Sequence, residues 1–152
     1  SNLWFGLRWN LPPHETLLYI GSMICVGFVE EVIFRGLLFN AMRKDGLKSA
    51  VIVSSVTFGI GHIVNLFNGS DAQLLSNLCQ VGYATAIGFL FVILFLKTGS
   101  LIPCIVTHSA VNSLSVFANE VSMTVTQEIF SAIAIAVIAL AYAVYLLKKV
   151  PE

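Results

Sequence analysis

Five long apolar runs, separated by short polar connections, dominate this chain of 152 residues. About 20 apolar residues in a helix cross the hydrocarbon core of a bilayer, so each run predicts a membrane span. The sequence therefore predicts an all-α, polytopic bundle of about five transmembrane helices. The predicted spans cover roughly 15–42, 48–67, 73–97, 100–118 and 126–147.

The composition favours the same class of protein. The chain is 57% hydrophobic and 11% charged, with a mean hydropathy of +0.89, whereas a soluble domain carries about 25% charged residues. A soluble helical bundle would show polar stripes at helical period, but the fifth run is apolar on every face. The formal net charge is zero, which argues against nucleic acid as a partner.

Charge in the connections predicts the orientation of the bundle. Connections on one side hold six of the basic residues, and those on the other side hold mostly acidic residues. By the positive-inside rule the basic side is cytoplasmic, which places the carboxyl terminus inside and residues 1–14 at the outer interface. The plasma membrane of a prokaryote is the expected location. The two sets are Arg43, Lys44, Lys48, Lys97, Lys148 and Lys149 against Arg8, Glu15, Asp71, Glu120 and Glu128.

Two adjacent carboxylates, Glu30 and Glu31, lie in the middle of the first apolar run, and Arg35 follows four residues after Glu31. Ionisable groups inside a membrane span are energetically costly and usually mark a functional site. Glu31 and Arg35 are spaced i,i+4, so they are expected to form an ion pair on one face of the helix. That pairing leaves Glu30 as the carboxylate that is available to act as a base.

Polar residues in two further spans are predicted at a similar depth. His62 lies in the second span, and His108 and Asn112 share a face of the fourth span at i,i+4. At a rise of 1.5 Å per residue, these residues and Glu30 lie roughly 12 to 21 Å from the inner ends of their helices. They are therefore expected to converge on one hydrated cavity inside the membrane, although a purely structural polar network remains an alternative.

Glycines in the second and third spans are expected to allow close approach of a neighbouring helix or of a substrate. These residues are Gly59, Gly61, Gly82 and Gly88.

Three motifs resemble a known family. Glu30 through Arg35 matches an EExxxR motif, Phe58 through His62 matches FxxxH, and His108 through Asn112 matches HxxxN. Together, in this order, they resemble the CPBP intramembrane proteases. This family of CAAX proteases and bacteriocin-processing enzymes is also called the ABI family, and it includes the type II CAAX prenyl protease. The resemblance covers roughly residues 28–115 and is similar to the conserved carboxyl-terminal core of the family.

The resemblance implies hydrolysis of a peptide bond within the membrane, in a membrane-held substrate that in some members is prenylated. It implies that Glu30 and His62 activate a water and that His108 and Asn112 stabilise the oxyanion. Glu31 and Arg35 would order the base and its helix. The whole chain is expected to be one transmembrane domain, with a family-like core at roughly 15–118 and a closing helix at 126–147.

Three alternatives remain open from the sequence. Two histidines and two glutamates could bind zinc, but the chain lacks HExxH and Asn112 is a poor zinc ligand, so no cofactor is assigned. A non-catalytic membrane scaffold or immunity factor could use the same cavity to bind a partner. An ion or proton transporter would also use buried carboxylates and histidines. The expected partners are membrane lipid and a peptide substrate.

Overall fold

A computed structural model describes residues 5–66, 74–119 and 121–149. Within these ranges the secondary structure is helical, apart from an isolated bridge between Leu7 and Ala118. This confirms the predicted all-α polytopic bundle. The connection at 67–73, with Asp71, and residue Glu120 lie outside the described residues. The five helices are α1 (Pro13–Met42), α2 (Leu47–Leu66), α3 (Leu74–Thr98), α4 (Ile102–Phe117) and α5 (Val125–Lys149).

Four of these helices are long and apolar enough to cross a membrane, and α4 is shorter. The fourth predicted span is therefore present as a shorter apolar helix. Its last residues, Ser115–Phe117, form a 3-10 turn, and Ala118 is already extended. Pro103 lies in the first turn of α4, where its missing N–H leaves no hydrogen bond unmade.

The outer faces of the helices carry large apolar side chains. Leu17 and Leu18 on α1 and Phe130 on α5 are each at least 70% exposed. A water-soluble protein rarely exposes so many contiguous apolar groups. Since lipid tails are themselves apolar, these faces fit a bilayer, and the chain is an integral membrane protein.

Glycines set the two closest helix contacts. A side chain at Gly27 of α1 would place its Cβ 2.5 Å from Ser109 Oγ of α4, and one at Gly59 of α2 would clash with Thr85 of α3. Gly88 likewise brings α3 against Phe58, which would lie 3.0 Å from an added Cβ. The expectation is wrong for Gly82, because a Cβ there meets nothing within 4 Å.

These contacts arrange the helices in pairs. α1 packs on α4, α2 packs on α3, and α5 packs on the other side of α3. The α3–α5 contact is apolar and includes Ile93, Ala143 and Leu146. The main core lies where α1, α2, α3 and α4 meet. Its buried residues are Phe39, Ala50, Phe91, Val92, Phe95 and Cys104.

The segment before α1 is bound to the end of α4. The Arg8 amide donates to the Phe117 carbonyl at 2.8 Å, and the Asn10 side chain donates to the Val116 and Ala118 carbonyls, both at 2.8 Å. The Trp9 ring packs on the Phe117 ring, with centroids 5.5 Å apart. These bonds satisfy carbonyls that the end of a helix leaves unpaired, and they hold α1 and α4 together near the predicted outer side.

Candidate active site

The first motif lies where α1 changes its helical geometry. The α-helical hydrogen bonding ends at Glu31, and Val32–Phe39 forms a π-helix that contains Arg35. A π-helical stretch is rare and frequently marks a functional site. It widens the helix just below the two carboxylates, so the local geometry of α1 differs at the point where its charged residues lie.

Glu31 and Arg35 form the predicted ion pair. Arg35 Nη1 donates to Glu31 Oε1 at 3.0 Å, and both side chains are fully buried. Arg35 Nη2 donates to the Gly88 carbonyl of α3 at 2.9 Å, and the guanidinium lies 4.3 Å from the centre of the Phe58 ring. The guanidinium is therefore held by an anion, a carbonyl dipole and an aromatic face. Such partners are needed because a buried charge without them is strongly destabilising.

His108 of α4 lies between the two carboxylates. Its Nδ1 is 2.8 Å from Glu31 Oε1, and its Nε2 is 3.6 Å from Glu30 Oε2. An ionised carboxylate only accepts hydrogen bonds, so Nδ1 carries a proton and donates it to Glu31. The predicted convergence of the first and third motifs is therefore present. Glu31, Arg35 and His108, which we call the buried charge cluster, are joined directly through Glu31 Oε1.

The two glutamates differ in their access to solvent. The Glu30 side chain is 32% exposed, whereas that of Glu31 is fully buried. Glu31 Oε1 accepts hydrogen bonds from Arg35 and His108. The described contact of Glu30 is with His108 alone, and at 3.6 Å it is longer than either of these. Glu30 is thus the carboxylate whose side chain is partly open at the surface of the bundle, and Glu31 is the one that is fixed in place.

His62 lies at the end of the α-helical part of α2, where the chain tightens into the 3-10 turn His62–Leu66. Its Nδ1 is 3.1 Å from the Phe58 carbonyl, which only accepts, so the proton is on Nδ1. The unprotonated nitrogen of the neutral ring is then Nε2. Within the described residues, His62 makes no ion pair with either glutamate.

Phe58 connects the two histidines. Its ring centre is 5.4 Å from that of His62 and 5.6 Å from that of His108. Phe91 of α3 packs on the other face of this group, 5.5 Å from the His108 ring. The sequence had no signal for Phe91, since it is one apolar residue in an apolar span. His62 is therefore separated from the buried charge cluster by one aromatic ring.

Asn112 lies one turn after His108 on α4 and is half-buried. Its side chain forms no hydrogen bond with another described residue, so its amide is available to a bound molecule. Asn77 of α3, which the sequence analysis did not select, is 1% exposed and donates to the His62 carbonyl at 2.9 Å. An asparagine in an apolar span was the sequence signal that could have identified it.

Among the described residues, no three histidine, cysteine, aspartate or glutamate side chains are grouped so that they could hold a metal ion. The reason is geometric, because Glu30 and Glu31 approach opposite nitrogens of the His108 ring. An ion bound to one of these nitrogens would therefore meet only one of the two carboxylates.

A cavity of about 450 Å³ lies at the start of α5. None of the motif residues lines it, so it is separate from the buried charge cluster. The cavity is lined by Phe5, Thr126, Gln127, Phe130, Ser131 and Ala134.

A family model described as type II CAAX prenyl endopeptidase Rce1-like matches residues 12–114. No curated protein and no solved structure matches the chain. The matched region spans α1 to α4 and includes all three motifs. The family indicates CAAX-protease-type hydrolase activity in general, on peptides associated with the membrane. The chain belongs to this Rce1-like family of type II CAAX prenyl endopeptidases.

Proposed function

We propose that the protein is an intramembrane endopeptidase in which Glu30 and His62 activate a water and His108 and Asn112 stabilise the oxyanion. The substrate is a peptide held at the membrane, including prenylated carboxyl-terminal peptides. The observation that carries the proposal is the position of His108 between an accessible glutamate and a buried one. Two neighbouring carboxylates in such different surroundings are suited to different roles.

Glu30 is the residue suited to act as the general base. It has partial access to solvent, and it lies beside the His108 ring, whose own proton on Nδ1 is committed to Glu31. In the proposed reaction a water loses a proton to Glu30 and its oxygen attacks the carbonyl carbon of the peptide bond. Transfer of that proton to the amide nitrogen then allows the carbon–nitrogen bond to break, which releases an amine and a new carboxyl terminus.

His62 assists from the other side of Phe58. Its proton on Nδ1 is held by the Phe58 carbonyl, so Nε2 has a free lone pair that can accept a hydrogen bond from the attacking water. Because His62 is half-buried at the end of a helix, it can reach a water that the buried charge cluster cannot. The two bases would then orient one water from two directions.

His108 and Asn112 are the proposed oxyanion donors. With a proton on each nitrogen, the His108 ring donates to Glu31 through Nδ1 and offers Nε2–H to the developing negative charge. The Asn112 amide, one turn along α4, supplies a second donor. A preorganised donor of this kind typically contributes about 10²- to 10³-fold to the rate. Glu31 and Arg35 hold the ring without contacting the substrate.

The family description gives the substrate class for the test, which uses purified protein in lipid nanodiscs. Peptides ending in a CAAX sequence, each in a farnesylated and an unmodified form, are incubated with the protein, and the products are identified by mass spectrometry. Cleavage by the wild type is expected, and Glu30→Gln is expected to reduce kcat by about 10²- to 10⁴-fold, the usual contribution of a general base.

The matched control is Glu15→Gln, a half-exposed glutamate at the other end of the same helix, which is expected to keep wild-type activity. Full activity in Glu30→Gln would contradict the proposed role. If the wild type binds the peptides and cleaves none, the protein is a peptide-binding scaffold and the proposed function is wrong.

A further inference from the structure

The first turns of α3 carry a buried amide that none of the three motifs includes. Asn77 is 1% exposed, and its Nδ2 donates to the backbone carbonyl of His62 at 2.9 Å. The carbonyls in the last turn of a helix have no partner within that helix. Asn77 therefore pairs with α2 at the residue where α2 changes to a 3-10 turn.

A second amide on the same face of α3 holds the same turn. Asn65, in the 3-10 turn, donates to Gln80 Oε1 at 3.1 Å, and Gln80 lies three residues after Asn77. Two side chains of α3 thus hold the start and the later part of the turn that begins with His62. Three residues before His62, Gly59 brings α2 into close contact with α3.

The other atom of the Asn77 amide shows that packing alone does not explain this residue. Asn77 Oδ1 is buried and has no hydrogen-bond partner among the described residues. A buried acceptor without a partner lowers stability. The amide is therefore only half satisfied, and its one described hydrogen bond is the contact with the His62 carbonyl.

We propose that Asn77 is a positioning residue for His62. His62 is held at two points, its ring at Nδ1 by the Phe58 carbonyl and its backbone carbonyl by Asn77. Together they set the direction of Nε2. The proposal deepens the proposed function and rests on it, because it gives His62 the orientation in which it assists the water. A small displacement of a catalytic group can lower the rate by about 10²-fold.

The direct test follows the His62 ring by NMR. The chain has three histidines, so protein labelled with ¹⁵N-histidine gives three pairs of ring nitrogen signals, assigned with His14→Gln and His62→Gln. In the wild type, His62 is expected as the tautomer protonated on Nδ1. In Asn77→Leu, the two His62 nitrogen signals are expected to move toward each other, while those of His14 and His108 remain unchanged. Unchanged His62 signals would overturn the proposal.

The activity test separates positioning from structural support. Asn77→Leu is expected to lower kcat by about tenfold to 100-fold with KM unchanged, measured at a temperature at which the variant remains folded. The control is Asn40→Leu, which removes an asparagine that donates to the Gly36 carbonyl near the inner end of α1, and it is expected to leave kcat unchanged. A lower melting temperature with unchanged kcat would show that Asn77 is only structural.

The role of His62 and the role of Asn77 can be tested separately. If His62→Gln keeps full kcat, the proposed function of His62 is wrong whatever Asn77 does. If His62→Gln is inactive but Asn77→Leu has wild-type His62 signals and wild-type kcat, the proposed function stands and the role of Asn77 is wrong.

Discussion

The two histidines of the candidate active site are held in opposite ways. His108 is buried and joined to Glu31 through its side chain, within a cluster that also includes Arg35. His62 is half-buried at the end of a helix, and its contacts are with a backbone carbonyl, an aromatic ring and Asn77. The first ring is fixed by charge, and the second is fixed by the main chain.

This difference follows from where each group lies. Charges inside a membrane protein need partners, since a buried ion without one is strongly destabilising. The buried charge cluster meets this need with short contacts and an aromatic face over Arg35. A neutral imidazole needs only one acceptor for its proton, so His62 can stay near solvent. The site thus combines a fully buried, charged half with a half that is only partly buried.

The largest effect on stability is expected for Glu31→Gln. This change leaves Arg35 buried without its anion, and it replaces the charged acceptor of His108 Nδ1 by a weaker, uncharged amide oxygen. Loss of one partner of a buried ion pair costs about 3–5 kcal/mol. Thermal unfolding in nanodiscs should show a large drop in melting temperature. Glu31→Gln protein that melts with the wild type would show that the buried charge cluster does not stabilise the fold.

A smaller effect is expected for Gly59→Ala. The added methyl group meets Thr85 and the Val81 carbonyl of α3, and overpacking of this kind typically costs about 1–3 kcal/mol. The matched control is Gly82→Ala in α3, where a Cβ has open space. It should be neutral or slightly stabilising, because alanine favours a helix over glycine. Equal melting temperatures for the two variants would contradict the close contact of α2 and α3.

The smallest effect on stability is expected for His62→Gln. The ring donates one hydrogen bond, to the Phe58 carbonyl at the partly exposed end of α2. The net contribution of such a bond is about 1 kcal/mol or less. Unfolding of His62→Gln beside Glu31→Gln therefore measures the contrast between the two halves of the site directly. A loss of stability as large as that of Glu31→Gln would remove the distinction.

The sequence predicted the parts of the site that depend on spacing along one helix or on the high cost of charge in lipid. The i,i+4 spacing of Glu31 and Arg35 predicted their ion pair. The depth predicted for His108, which is similar to that of the glutamates, predicted its contact with them. The five apolar runs gave the helices nearly to the residue, because length and hydropathy determine spans.

Other features could not be predicted because they depend on contacts between distant segments. The π-helix at Val32–Phe39 contains Gly36, but a single glycine in an apolar span does not distinguish a π-helix from an α-helix. The docking of residues 5–10 on the end of α4 combines backbone hydrogen bonds, which every residue can make, with bonds from the Asn10 side chain to carbonyls 106 and 108 residues away in the chain. The role of Asn77 required knowing which carbonyl on another helix faces it.

In the proposed reaction, Glu30 and His62 act on one water although they lie on different helices. A double-mutant cycle of kcat for Glu30→Gln, His62→Gln and the double variant tests it most directly. Residues that act as a unit show strongly non-additive losses. If both residues act on the same water, the double variant should be about as slow as the slower single variant. Losses that multiply would show that the two residues act independently and would contradict a shared water.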